Sequence, residues 1–137
     1  MVGAKELLKY STNIRVLYAE DDEKLREDTF RLLSTFFQDI SVAENGKRAL
    51  EMYQSGEFDI IISDYVMPEM NGMELARSIK EMSPEQIFII LSAHDEQQYV
   101  DELRKAGVDD FIFKPLNIQQ FIQVIHKACL QVAEKKQ

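Results

Sequence analysis

Cysteine, proline and glycine are scarce in this chain, and their scarcity narrows what the protein can be. Its 137 residues include one cysteine, three prolines and five glycines. A lone cysteine, Cys129, cannot form an intramolecular disulfide, which favours a reducing, cytoplasmic compartment. Cys129 falls on an apolar helical stripe, where a small core residue is expected. Without a Pro/Gly-rich linker, the sequence predicts one domain.

Basic charge and long apolar runs are also lacking. The chain has 16 Lys and Arg against 24 Asp and Glu, for a net charge of −8. This balance argues against non-specific nucleic-acid binding and against docking on anionic membranes. No apolar run approaches the roughly 18 residues of a membrane span, and the N-terminus lacks the apolar region of a signal peptide. We therefore expect a cytoplasmic protein with neither nucleic-acid nor membrane partners.

Hydrophobic periodicity predicts five strands that alternate with five helices. The predicted strands are 14–19, 40–44, 59–63, 86–93 and 110–114. The predicted helices are 22–37, 47–56, 72–83, 95–107 and 117–134. Strict alternation with short connections predicts a doubly wound parallel sheet covered by helices on both faces. In domain terms, we expect a leader over 1–13 with one turn of helix, the domain over 14–133 and a short tail over 134–137.

Polar residues stand where the predicted strands end. Glu20, Asp21 and Asp22 follow the first strand, Asp64 the third, Ser92 the fourth and Lys114 the fifth. The carboxyl ends of parallel strands share one edge of the sheet, and function gathers there. If the strand order is 2-1-3-4-5, strands 1 and 3 are neighbours and their carboxylates meet.

This combination predicts phosphoryl chemistry. Clustered carboxylates repel one another unless a cation joins them, and oxygen ligands favour Mg²⁺ over zinc. A lysine and a hydroxyl beside the ion can hold a phosphoryl group. A carboxylate can itself be the nucleophile, and Asp64 is the candidate because it ends the central strand.

Each feature has an ordinary interpretation when taken alone. Asp22 and Glu23 suit a helix N-terminus, Ser92 suits a turn, and Lys114 suits a solvated surface. The segment SDYVMPEMNG over 63–72 is harder to explain, because a carboxylate ends an apolar strand and apolar residues hold the following loop. We expect Met67 and Pro68 to anchor that loop and Asn71-Gly72 to turn the chain into the next helix.

Four stretches resemble, in order and spacing, the receiver domain of two-component response regulators. They are VLYAEDDEKLRE, DIIISDYVMPEMNGMEL, FIILSAHDE and AGVDDFIFKP, and the resemblance covers about 14–133. It implies a flavodoxin-like (βα)₅ sandwich with strand order 2-1-3-4-5, resembling chemotaxis regulators of this family. It also implies that a histidine kinase or phosphotransfer protein donates a phosphoryl group.

By the resemblance, Asp64 is the phosphoacceptor and is the modified residue. Asp21 is a direct Mg²⁺ ligand, Glu20 is its partner acid, and the backbone carbonyl of Val66 is a further ligand. Mg²⁺ is thus the implied cofactor, with Asp64 also among its ligands.

The resemblance also implies a switch. Ser92 is the hydroxyl that moves to meet the phosphoryl oxygen, and Lys114 pairs with the same group. Phe111 stands at the position of an aromatic switch residue, and the Lys114-Pro115 peptide is expected to be cis. Switching is expected to change binding of a downstream target, or of an output domain if the chain is a fragment. A homodimer through the face formed by 95–134 is a further possibility.

Three positions depart from the usual family pattern. Glu20 stands where the family usually has aspartate. Its side chain is one methylene longer, which changes how far the carboxylate extends toward the metal ion. Val66 offers an attacking water no side-chain hydrogen bond, whereas His94 could, so we expect slow to intermediate self-dephosphorylation. Phe111 lacks the hydroxyl of a tyrosine switch, and we expect its ring to favour the inward position.

Three other functions are alternatives for a chain with these residues, and each requires a feature that this chain lacks or leaves one unexplained. A Mg²⁺-dependent phosphatase needs a general acid, commonly an aspartate two residues after the nucleophile, where this chain has Val66. An FMN carrier needs a Ser/Thr/Gly-rich loop after strand 1, where this chain has acids. A receiver that only binds a partner has no need of Asp64, Asp21, Ser92 and Lys114 together. We therefore expect a phosphoaccepting regulator that catalyses only its own phosphorylation and dephosphorylation.

Overall fold

A computed structural model of the protein describes residues 3–93 and 97–136. Five strands form one parallel sheet in the order β2-β1-β3-β4-β5. The strands are β1 (Arg15–Ala19), β2 (Asp39–Ala43), β3 (Ile60–Asp64), β4 (Ile87–Ser92) and β5 (Asp110–Phe113). The predicted fold class and strand order are confirmed.

Within residues 3–93 and 97–136, six helices cover the sheet, one more than predicted. They are α1 (Ala4–Ser11), α2 (Glu23–Phe36), α3 (Gly46–Ser55), α4 (Gly72–Met82), α5 (Gln97–Lys105) and α6 (Ile118–Lys135). None of the helices in the described ranges is long and apolar enough to cross a membrane.

Both faces of the sheet are buried, as the continuous apolar runs predict. In β3, Ile60 and Ile62 point into one core and Ile61 into the other, and all three are fully buried. Residues of α1, α2 and α6 complete the first core, and residues of α3, α4 and α5 complete the second. Cys129 belongs to the first core, and burial raises the pKa of its thiol to about 12. The expected role of Cys129 as a core residue is confirmed.

The predicted leader is a packed two-turn helix rather than one turn. In α1, Leu7 and Ser11 lie one turn apart and both are fully buried. The Ser11 hydroxyl donates a hydrogen bond to the carbonyl of Phe36 at the end of α2. Tyr10 packs edge-on against His126 of α6, with ring centroids 5.5 Å apart. These contacts explain the added helical length, because they bury a face that the sequence pattern alone leaves undefined.

Two apolar residues near the starts of helices are exposed, although their spacing matches the apolar stripes of those helices. Leu25 near the start of α2 is 43% exposed, and Ile118 at the start of α6 is 48% exposed. Both belong to the first helical turn above the carboxyl edge of the sheet, where the core no longer extends to cover them. The predicted tail also changes, because α6 continues through Glu134 to Lys135.

Candidate functional site

Glu20 occupies a buried position directly after β1. Its amide donates to the carbonyl of Ala43 at 3.1 Å, which continues the hydrogen bonding between β1 and β2 by one residue. The residue is 1% exposed, and its Oε2 accepts from the Asp22 amide at 3.3 Å. Within the part of the chain that the structure describes, its Oε1 has no hydrogen-bond partner. A buried carboxylate oxygen without a donor is suited to a cation.

Asp64 ends β3 beside Glu20. Ala19 pairs with Ser63 across β1 and β3, so the next residues of the two strands are neighbours at the edge. Asp64 is 8% exposed, whereas Asp21 in the following loop is exposed. Glu20, Asp21 and Asp64 each offer a carboxylate oxygen within 4.8 Å of the others. This spacing and the oxygen-only donor set fit a hard cation such as Mg²⁺.

Burial and mutual repulsion perturb the acids. Burial, followed by the charge of Asp64, raises the pKa of Glu20 to about 7. The Asp22 amide and the Lys114 charge oppose this rise. The ionised carboxylates therefore repel one another, and a bound divalent cation would offset this repulsion.

Lys114 brings a positive charge to the same place. Its Nζ lies 2.7 Å from Oδ1 of Asp64 and 3.6 Å from Oε1 of Glu20. Burial opposes the ammonium charge, but the hydrogen bond and charge of Asp64, with Glu20, outweigh it and raise the pKa of Lys114. The Lys114-Pro115 peptide is cis, as expected from the resemblance.

Ser92 reaches the site from β4. The strand partner of Asp64 is Leu91, so Ser92 follows directly beyond it. Ser92 is 1% exposed, and its carbonyl accepts from the Lys114 amide at 2.8 Å. The structure thus brings Glu20, Asp64, Ser92 and Lys114 to one edge, as the strand ends predict. His94 lies outside the described residues.

The loop after Asp64 has one apolar anchor, Met67, and lies close against two glycines, Gly46 and Gly72. Met67 is 7% exposed and packs in the second core, whereas Pro68 is exposed and does not anchor the loop as expected. The side chain of Val66 is 65% exposed. A Cβ on Gly72 would stand 2.5 Å from the Asp64 carbonyl oxygen, and one on Gly46 would stand 2.1 Å from the Met70 carbonyl oxygen.

The start of α4 fixes the other end of this loop. Asn71 caps the helix by accepting from the Glu74 amide at 2.8 Å, and Glu74 accepts from the Asn71 amide in return. The Gly72 amide donates to the Tyr65 carbonyl at 2.8 Å. The predicted turn at Asn71-Gly72 is confirmed, and the capping box explains its rigidity.

Phe111 of β5 packs beneath helix α5. It is 4% exposed and lies in the second core, so its ring is inward, as expected. The ring stacks on Phe113 with centroids 6.2 Å apart, and the Arg104 guanidinium of α5 lies 4.9 Å from its centroid. A change in the position of the Phe111 ring would therefore alter its contact with Arg104 of α5.

Two features of the site were not predicted. Arg26 of α2 donates to the carbonyls of Glu20 and Asp21, a role that its position one turn beyond the acids could have suggested. A cavity of ≈ 280 Å³ beside Glu20 and Lys114 is walled mainly by apolar atoms. Its other lining residues are Leu25, Asp28, Thr29, Leu91, Pro115 and Leu116.

The chain belongs to a known family. The profile of the family described as response regulator receiver domain matches residues 16–126. The protein is therefore a receiver domain of two-component signalling, a family whose general function is phosphorylation of an aspartate. Both the sheet order and the acidic edge agree with this assignment.

Relatives and solved structures support the same family. A chemotaxis protein CheY of Thermotoga maritima is 38% identical over 85 residues, which are 62% of this chain and 71% of that protein. The receiver domain of a Francisella response regulator superposes with a TM-score of 0.78 at 30% identity, covering 87% of this chain and 98% of that one.

Some relatives are much longer than this chain. A cyclic di-GMP phosphodiesterase of Thermotoga maritima is 35% identical over 104 residues, which are 76% of this chain but 28% of that protein. A transcriptional regulatory protein DegU of Brevibacillus brevis is 27% identical over 114 residues, 48% of its length. The chain thus spans between a quarter and a half of these two relatives.

Proposed function

We propose that Asp64 is the phosphoacceptor of this receiver domain. The observation that carries the proposal is the 2.7 Å contact between Lys114 Nζ and Asp64 Oδ1 at an edge where Glu20 and Asp21 also converge. A carboxylate held by an ammonium is oriented for attack, and the ammonium then remains to bind the phosphoryl oxygens.

In the proposed reaction, an Asp64 oxygen attacks the phosphorus of a phosphohistidine. The new O–P bond forms as the N–P bond breaks, and the donor histidine leaves with the electron pair. Glu20, Asp21, Asp64 and the carbonyl of Val66 are the proposed ligands of Mg²⁺, which when bound neutralises charge on the phosphoryl group. The exposed, apolar Val66 side chain supplies no general acid for a phosphatase, which favours a regulator over that enzyme.

We infer that Ser92 and Phe111 read out the phosphorylation. The Ser92 hydroxyl would donate to a phosphoryl oxygen, since a hydrogen bond to a charged acceptor is strong. Movement of Ser92 would alter the packing of Phe111, and the Arg104 contact would pass the change to α5. Such a change biases a two-state equilibrium rather than creating a new fold.

We propose a histidine kinase or phosphotransfer protein as the donor. Two exposed apolar side chains that line the cavity beside Glu20 support a protein partner: Leu25 is 43% and Leu116 38% exposed. The output is a downstream protein or an attached output domain, and a homodimer through 95–134 stays a prediction. We propose a cytoplasmic location, consistent with one buried free thiol at Cys129.

A small phosphodonor with Mg²⁺ tests the acceptor assignment. Mass spectrometry should detect one added phosphoryl group on the native protein and none on Asp64→Asn, because an amide is not a nucleophile here. Asp39→Asn, which changes an exposed aspartate at the start of β2 and therefore at the opposite edge of the sheet, should label normally. Beryllofluoride should bind the native protein and protect Asp64 from labelling. Acid-stable, hydroxylamine-resistant labelling of Asp64→Asn would contradict the assignment.

A further inference from the structure

Arg26 holds the backbone of the acidic loop without touching its acids. Its Nη1 donates to the Glu20 carbonyl at 3.0 Å and to the Asp21 carbonyl at 3.3 Å. These are the two consecutive residues whose carboxylates converge with Asp64. The guanidinium therefore constrains both peptide units that carry the proposed metal ligands, while it leaves their carboxylates available to a cation.

The position of Arg26 in α2 makes this contact rigid. Its own amide donates to the Asp22 carbonyl at 2.8 Å, and the Asp22 side chain caps the helix by accepting from the Leu25 amide at 2.9 Å. Hydrogen bonds from α2 thus constrain three successive residues of the loop, namely Glu20, Asp21 and Asp22. Glu20 is bound from the other side as well, through its amide to Ala43.

Acid clusters need this kind of support. Glu20, Asp21 and Asp64 each place a carboxylate oxygen within 4.8 Å of the others, so their like charges repel when no cation joins them. A loop free to move would separate them and would have to be reordered each time the ion bound. Groups that orient metal ligands from outside typically change metal affinity by roughly 10- to 100-fold when they are removed.

We propose that Arg26 is a positioning residue for Mg²⁺, which acts by fixing the Glu20 and Asp21 carbonyls so that both carboxylates face the ion. The proposal rests on the proposed Mg²⁺ site. Nη1 donates both hydrogen bonds from the end of a side chain that is one bond longer than that of lysine, so a lysine ammonium at this position would not reach both carbonyls with the same geometry.

The test compares Mg²⁺ affinities measured by amide NMR titration of four proteins: native, Arg26→Gln, Arg26→Lys and Arg31→Gln. Arg31 is the matched control, because it lies on the same helix with a 77% exposed side chain and pairs with Asp28. We expect Arg26→Gln to weaken Mg²⁺ binding by roughly tenfold or more and to shift the Asp21 and Asp22 amide signals before Mg²⁺ is added. Arg31→Gln should stay within about twofold of the native affinity.

Arg26→Lys separates positioning from charge and serves alone if Arg26→Gln does not fold. It should lose about threefold or more in affinity, because its ammonium keeps the charge but ends one bond short of the position of Nη1. At saturating Mg²⁺, both Arg26 variants should bind beryllofluoride to the native level in ¹⁹F NMR, since the acids themselves are intact. Native affinity in Arg26→Lys, or an equal loss in Arg31→Gln, would overturn the positioning role. Absence of Mg²⁺ binding by the native protein would overturn the proposed site and the inference with it.

Discussion

The Lys114 ammonium faces two buried carboxylates, lying 2.7 Å from Oδ1 of Asp64 and 3.6 Å from Oε1 of Glu20. It therefore acts as their counter-ion in the protein without a metal. Removing one partner of such a pair leaves an uncompensated carboxylate, which is the costly half of a buried ion pair.

Lys114→Met should lower the free energy of unfolding by about 2 kcal/mol, the cost of a lost charged hydrogen bond. Mg²⁺ should recover much of this loss, because the ion replaces the missing positive charge. Lys80→Met is the matched control. The Nζ of Lys80 lies 2.9 Å from Oδ2 of Asp109, and this ion pair does not involve Glu20, Asp21 or Asp64. Denaturant unfolding with and without Mg²⁺ measures both. Equal rescue of the two variants by Mg²⁺ would contradict the counter-ion role.

The raised pKa of Glu20 predicts a pH-dependent stability. The folded pKa of about 7 exceeds the ordinary value of 4.5, so the folded state binds more protons between these limits. Stability from this group is therefore fully present below pH 4.5 and is lost as the pH rises to about 7. Glu20→Gln removes this contribution, and thermal unfolding of the two proteins across that window measures the difference. Parallel pH profiles for the native protein and Glu20→Gln would refute the raised pKa.

The same pKa predicts how Mg²⁺ binding depends on pH. Below about pH 7 the ion must displace a proton from Glu20, so its affinity should rise with pH and level off above that value. Titrations at about pH 6 and about pH 8 should differ by roughly tenfold in affinity. Glu20→Gln should bind more weakly and with little pH dependence over this range.

Gly72 cannot accept a side chain without moving Asp64. A Cβ there would stand 2.5 Å from the Asp64 carbonyl oxygen and 2.7 Å from Cδ1 of Ile90. Gly72→Ala should therefore lose about 1–3 kcal/mol of stability and slow labelling of Asp64 by a small phosphodonor. Gly3→Ala, where a Cβ meets no atom within 4 Å, should change neither. An unaltered labelling rate in folded Gly72→Ala would show that this close approach does not position Asp64.

The sequence was sufficient for the fold because its signals are local. The apolar runs of β3 and β4 require cover on both faces, and the alternating helices provide it. The strand-end residues were also predictable, since parallel strands bring Glu20, Asp64 and Lys114 to one edge by topology alone. An ion pair between Lys114 and Asp64 is then expected, because their side chains carry opposite charges.

Features that depend on long-range packing were not predictable. Leu7 of α1 is buried only because α2 and α6 leave a place for it, which nothing near Leu7 in the sequence indicates. Leu25 follows a helical stripe but is exposed, because the core ends before the first turn of α2. Gly46 lies so close to the Met70 carbonyl that an added Cβ would clash with it, and the two segments are distant in sequence.

Neighbouring leucines of α1 test whether this helix belongs to the folded unit. Leu7 is fully buried in the first core and Leu8 is 40% exposed. Leu7→Ala should lower the free energy of unfolding by about 2–5 kcal/mol, and Leu8→Ala by less than about 1 kcal/mol. Denaturant unfolding measures both, and equal small effects would mean that α1 packs without contributing to stability.

Val66 should limit how quickly the phosphoryl group is lost. Its side chain is 65% exposed two residues after Asp64, where it faces the solvent from which an attacking water must come but offers that water no hydrogen bond. In Val66→Asn the amide can orient the water; one hydrogen bond is worth about 1 kcal/mol, so hydrolysis should be roughly fivefold faster. Val66→Ala, which also lacks a polar group, should stay near the native rate. Both rates follow from mass spectrometry of the phosphorylated protein after the donor is removed. Hydrolysis in Val66→Asn that is unchanged or slower would mean that this side chain does not control the placement of the water.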